Sequence, residues 1–208
     1  MNRVLFLLFL GEALTGLTRT VLGPVYPEIA LHRGISSATI GAIFALSPIS
    51  GLTWSLLISY VPIKSRRAML VLRCVLMAVS MGMVGISVYF SSLWMAVLSG
   101  FSRVIAGIGI TYSDTAGYGL IASYEADNLE KYISYFEMSE GLGLTLGPVF
   151  SSFACSFVGF DWMCYMTGLL FLVYMPFLLL LHEPAREDVQ SSHSVSVLRL
   201  CVHRVTPR

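Results

Sequence analysis

The stretch "EMSEGLGLTLGPVFSS", Glu137 to Ser152, lies inside a long apolar run yet holds two carboxylates, three glycines and a proline. A plain membrane-spanning helix avoids all of these, because charge, flexible backbone and a missing N–H each cost free energy in hydrocarbon. The surroundings establish that hydrocarbon is the right solvent to consider. The chain has 208 residues, of which 56% are hydrophobic and 12% charged, with a mean hydropathy of +0.77. That leaves too little polar surface to cover a soluble globule. A net charge of +1 without a concentrated basic face excludes a nucleic-acid partner. The four cysteines, Cys74, Cys155, Cys164 and Cys201, form no C-x-x-C pair. Three of them sit in apolar segments as small hydrophobes, so neither a metal nor a disulfide is expected.

Dividing the chain into apolar runs of about 20 residues predicts six spans. They run from Val4 to Val25, Ser36 to Val61, Ala68 to Phe90, Leu93 to Ala122, Tyr132 to Val158 and Trp162 to Leu181. The linkers "YPEIALHRGIS", "PIKSRR", "SS", "SYEADNLEK" and "GFD" are short, so consecutive spans are antiparallel neighbours. Lys64, Arg66 and Arg67, Lys131 and Arg186 fall on one side, against Arg33 on the other. The positive-inside rule then puts both termini in the cytosol. The start "MNRVLFLLFLGEAL" also fits a cleaved signal peptide, but the apolar character resumes past Gly16 and Glu12 interrupts the core, which favours a spanning helix. The domain reading is therefore a six-helix bundle over residues 1–183 and a polar, disordered cytosolic tail over residues 184–208.

Chemistry is sought among the ionisable residues within spans: Glu12, Arg19, Arg73, Arg103, Asp114, Glu137 and Glu140. Each costs about 2.5 to 3.5 kcal/mol at the bilayer centre and must face protein or water. Arg19, Arg73 and Glu137 lie nearer span ends, where snorkelling to the headgroups accounts for them. Arg103 and Asp114 are eleven residues apart, about 20° from eclipsed on a helix, and Gly107 shares their stripe. Glu12 and Arg19, seven apart, give a similar strip through Thr15, either as an internal pair or as partners of other helices. Tyr26, Trp54 and Tyr118 fit interface anchors or core as well as walls of an amine cage.

Two spacings resemble motifs of the major facilitator superfamily. Gly143, Gly147, Pro148, Ser151 and Ser152 resemble its fifth-helix antiporter motif, with serines where glycines are usual, and "RVIAGIG", with Arg103, Gly107 and Gly109, resembles its fourth-helix motif. "SDTAGYGLIAS" followed by "DN" and "EMSEGLGLTLGP" is similar to the vesicular amine and polyamine branch. The resemblance covers Gly23 to Leu181 and implies an all-α integral membrane protein, six transmembrane helices forming the amino-terminal half of a major facilitator fold. In the loop between spans two and three, Arg66 and Arg67 match the family's cytosolic gating motif, whereas Pro62 replaces its acidic residue and Ile58 and Ser65 its glycines.

The function this implies is proton-coupled export of a small organic cation by alternating access, in a vesicle, organelle or plasma membrane. Glu12 and Asp114 would attract the cation, Arg103 would hold Asp114 or a helix end, and Glu140 would either sit solvated in the vestibule or share a proton. No cofactor is expected. The partners are the lipid bilayer, the cation, protons and either a second six-helix half or a homodimer. A half-length chain is open to three explanations: a truncated record, a homodimer, or a non-transporting unit that regulates a full-length relative. Tyr112, Ser113 and Asp114 invite a protease reading, but no second catalytic aspartate, G-x-S-x-G or H-E-x-x-H accompanies them, so no enzyme is expected.

Overall fold

Hydrocarbon offers no partner for a free N–H or C=O, so a chain of this composition satisfies its backbone within helices. The computed structural model describes residues 3–58, 60 and 65–180, and every regular element among them is helical. They are α1 (Arg3–Thr20), α2 (Tyr26–His32), α3 (Ser37–Ile58), α4 (Arg66–Ser87), α5 (Ser92–Tyr124), α6 (Leu129–Val158) behind a 3-10 turn at Ala126–Asn128, and α7 (Phe160–Leu179). Pro62, Lys64 and Arg186, with the tail from 184 to 208, lie outside the described residues.

Five helices, α3 through α7, are long and apolar enough to cross a membrane among the described residues. Helix α1, at 18 residues, has the length but carries Arg3, Glu12 and Arg19. Two linkers differ from expectation. The first span stops at Thr20, followed by turns through Val25, and the link "YPEIALHRGIS" contains the short helix α2. Pro27 in the first turn of α2 supplies a helical φ where no N–H partner is required. Gly34, at φ 79°, ends it: Gly34 N–H donates to Leu31 O and Ile35 N–H to Ala30 O, the paired bonds of a Schellman stop. At the other link a single residue, Gly159 at φ 87°, reverses the chain between α6 and α7.

Packing follows the distribution of small residues. Helix α1 lies against α6, α3 against α5, and α4 between α5 and α7. A side chain on Gly143 would strike the Ala13 carbonyl and stand 2.8 Å from Leu17 N, while one on Gly147 would meet Thr20 and stand 2.8 Å from Leu17 O. These obstacles are mainly backbone, so the two helices touch along glycine. Gly107 does the same for α5 against Ser47 and Ser50 of α3. Helix α4 turns Met69, Leu70, Cys74, Met77 and Met81 inward, whereas α3 and α6 keep broad apolar faces outward, with Leu52 71% and Phe157 73% exposed.

Pro148 belongs to this α1–α6 contact. Its ring removes the N–H that would bond the carbonyl of Leu144, four residues earlier. Thr20 of α1 donates its hydroxyl to Leu144 O at 3.0 Å, which supplies the missing partner from a neighbouring helix. Ser151 is buried and donates to Pro148 O at 3.2 Å, while Ser152 is exposed and takes no part in the contact.

Gly143→Ala is expected to destabilise by about 1 to 3 kcal/mol through overpacking. The nearby Gly141→Ala, with open space at its Cβ, should be neutral or stabilising by up to about 1 kcal/mol. Thermal melts of the detergent-solubilised variants test the contrast, and equal melting temperatures would contradict the α1–α6 contact.

Candidate functional site

Two polar layers cross the middle of the bundle. The inner one joins α1, α4 and α5. Arg73 Nη1 donates to Ser113 Oγ at 2.5 Å and reaches Thr15 Oγ1 at 3.4 Å. Ser113 in turn donates to Glu12 Oε2 at 2.6 Å, and the guanidinium stands 3.7 Å from that same oxygen. Both charged side chains are fully buried. Tyr174 of α7 closes the site, its ring centroid 5.5 Å from the Arg73 guanidinium and its hydroxyl donating to Leu7 O at 2.7 Å. Any side chain at Gly11 would come within 2.5 Å of both Arg73 Nη2 and the Tyr174 hydroxyl, so that position leaves room for the arginine. Glu12 Oε1 and Arg73 Nε and Nη2 have no bonding partner among the described residues.

The second layer joins α1, α5 and α6. Arg19 forms a close ion pair with Glu140 and a looser one, at 3.7 Å, with Asp114. Beside it, Tyr118 donates its hydroxyl to Glu137. Asp114 and Tyr118 face a cavity of about 620 Å³ bounded by α1, α3 and α5. Arg103 forms its far end, 5% exposed, with its guanidinium 5.2 Å from the Phe44 ring centroid and Nη2 unbonded.

The predicted stripe is therefore present: Arg103, Gly107 and Asp114 all line the cavity. The predicted contact between its charges is not. Eleven residues of helix separate their α carbons by about 16 Å, beyond the reach of an arginine arm toward an aspartate, and Asp114 pairs with Arg19 instead. Glu12 and Arg19 likewise do not pair with each other, since each is engaged on a different helix. Glu140 is not solvated in a vestibule: its side chain is 13% exposed and bonded to Arg19.

Arg73 and Arg19 do not snorkel to the headgroups, the role expected from their places in the spans, because each is paired with a carboxylate of another helix. Arg73 is 0% exposed and sits at the centre of the inner layer. The signal was present in the sequence, because Met69, Met77 and Ser80 share its helical face and all are buried. At one end of the bundle Arg66 donates to Gly119 O at 2.5 Å and to Ser123 Oγ, tying the start of α4 to the end of α5. Arg67 is partly buried beside it.

Membrane-length helices around a cavity lined by charge define the class, a multi-pass membrane protein of transporter type. The chain belongs to the Major Facilitator Superfamily, whose sequence model matches residues 8–205. That match begins ahead of Gly23 and extends past Leu181, the bounds over which the motifs carry the resemblance. The superfamily consists of transporters and not enzymes. Comparison with curated proteins gave no match.

Glu12→Ala is expected to cost about 3 to 5 kcal/mol, because it strands a buried arginine. The double variant Glu12→Leu with Arg73→Met should recover most of that loss, since apolar replacement of a buried pair is often neutral. A double-mutant cycle by denaturant unfolding measures the coupling, and additive losses would show that the two side chains act independently.

Proposed function

We propose that the protein carries out proton-coupled transport of a small amine-bearing organic solute, with the cavity between α1, α3 and α5 as its half of the transport site. The observation that carries this reading is the state of Asp114: it faces a cavity deep within a membrane-length helix, and its ion pair with Arg19 is the looser of two that Arg19 makes. An incoming ammonium can take Asp114 while Arg19 keeps Glu140. Binding then alters the contact among α1, α5 and α6 directly. Proton return exploits the same competition, because a protonated Asp114 releases the amine. The resemblance to the vesicular amine and polyamine branch supports the substrate class.

In this reading α1 is the sixth span, its Glu12 masked by Arg73, and both termini are cytosolic. The six helices are one half of the family's two-half fold, followed by a cytosolic tail. A second six-helix half, from further polypeptide or another copy, would close the open side of the cavity at the midplane and permit rocking. The glycine contact between α1 and α6 keeps that moving bundle rigid, and Arg66 anchors α4 to α5 at its cytosolic end.

Choline, a permanent cation that does not cross lipid unaided, is a suitable probe. Acid-loaded proteoliposomes are expected to accumulate labelled choline until the proton gradient is collapsed, and Asp114→Asn should lower the initial rate at least about tenfold, the cost of one charge-assisted contact. Wild-type uptake in Asp114→Asn would overturn the assignment.

A further inference from the structure

Arg103 is the cation that the amine reading leaves unexplained. It is 5% exposed, it borders the cavity, and no carboxylate lies within ion-pair distance among the described residues. Arg19 and Arg73 each have acidic partners, so a lone arginine is not the rule in this bundle. Phe44 offers only a ring face, and Nη2 has no acceptor among the described residues. A buried guanidinium in this state lacks the anion that would balance it. The opposite end of the same cavity holds the carboxylate of Asp114, in its looser pair with Arg19 that an incoming ammonium can displace, beside Tyr118, which donates to Glu137.

We infer that the cavity binds a solute bearing a carboxylate as well as an amine, with the carboxylate on Arg103 and the amine on Asp114. This rests on the transport reading given above and narrows its substrate class from cations to amphoteric molecules. The two groups must be well separated, because the α carbons of Arg103 and Asp114 are about 16 Å apart and only part of that length is covered by the two side chains. An α-amino acid, with both groups on one carbon, is too short to reach both ends. An ω-amino acid or a short peptide fits. Planar guanidinium matches carboxylate through two parallel hydrogen bonds, which lysine cannot form. The Phe44 ring fixes the plane of the guanidinium from one side.

The test compares three probes on the full chain in lipid nanodiscs by calorimetric titration: 6-aminohexanoate, its isomer norleucine with both groups on one carbon, and hexylamine without a carboxylate. The expected order places 6-aminohexanoate about tenfold or more tighter than either of the others. Arg103→Met should abolish that margin while leaving hexylamine affinity unchanged or improved, and Arg103→Lys should restore it in part. The wild-type comparison needs no variant to fold. If hexylamine binds as well as 6-aminohexanoate, the carboxylate assignment is wrong and the amine reading survives. If none of the three binds, both readings fall. A carboxylate could instead come from an acidic side chain of a second copy; in that case Arg103→Met would weaken self-association, measured by energy transfer between labelled copies in vesicles, with no change in the order of the probes, and the inference would be overturned.

Discussion

The fold depends on how three helices share one buried arginine. Arg73 reaches α1 and α5 at once, through Thr15, Ser113 and Glu12, in a region where its charge could not otherwise be held. Its position fixes the rotation of α4 about its own axis, and with it the inward face of methionines against α5 and α7. Gly11 has to be small, Tyr174 has to present its ring and Ser113 has to bridge two charges, all because of that one side chain. The buried pair contributes more to specifying one arrangement of α1, α4 and α5 than to net stability, since such pairs seldom repay their desolvation.

Around this centre the charges are divided by access. Glu12 is enclosed and engaged, while Asp114, one residue after Ser113, opens to the cavity. Adjacent residues on α5 thus belong to two networks, one enclosed among the helices and one that borders the cavity. Arg19 links Asp114 to Glu140 and so joins the cavity side of α5 to α6. The same contacts explain why α6 tolerates a proline: Thr20 of α1, one residue from Arg19, supplies the hydroxyl that its freed carbonyl needs. The Gly143, Gly147 and Pro148 spacing and the ion-pair layer are consequently parts of one α1–α6 interface.

The positions of the helices were legible because apolar length is a local property. Spans predicted from Ala68, Leu93 and Tyr132 appear as α4, α5 and α6 with shifts of one to three residues at their starts. The shared face of Arg103, Gly107 and Asp114 was equally legible, since helical periodicity alone determines it. Less was visible in the linkers: α2 is only seven residues long, and its stop depends on a glycine at positive φ rather than on any apolar period.

By itself, the sequence determined that this chain is a bundle of membrane-length helices, which of its residues are costly enough to require a partner, and where glycines let helices touch. Tertiary structure decided who the partners are. Arg103 and Asp114 share a stripe but not a bond, Glu12 and Arg19 share a strip but serve different networks, and Arg73 is central rather than peripheral. The reason is that the cost of burying a charge is set by a residue's own chemistry and depth, whereas its compensation comes from side chains on other helices, whose rotation and approach no single helix encodes.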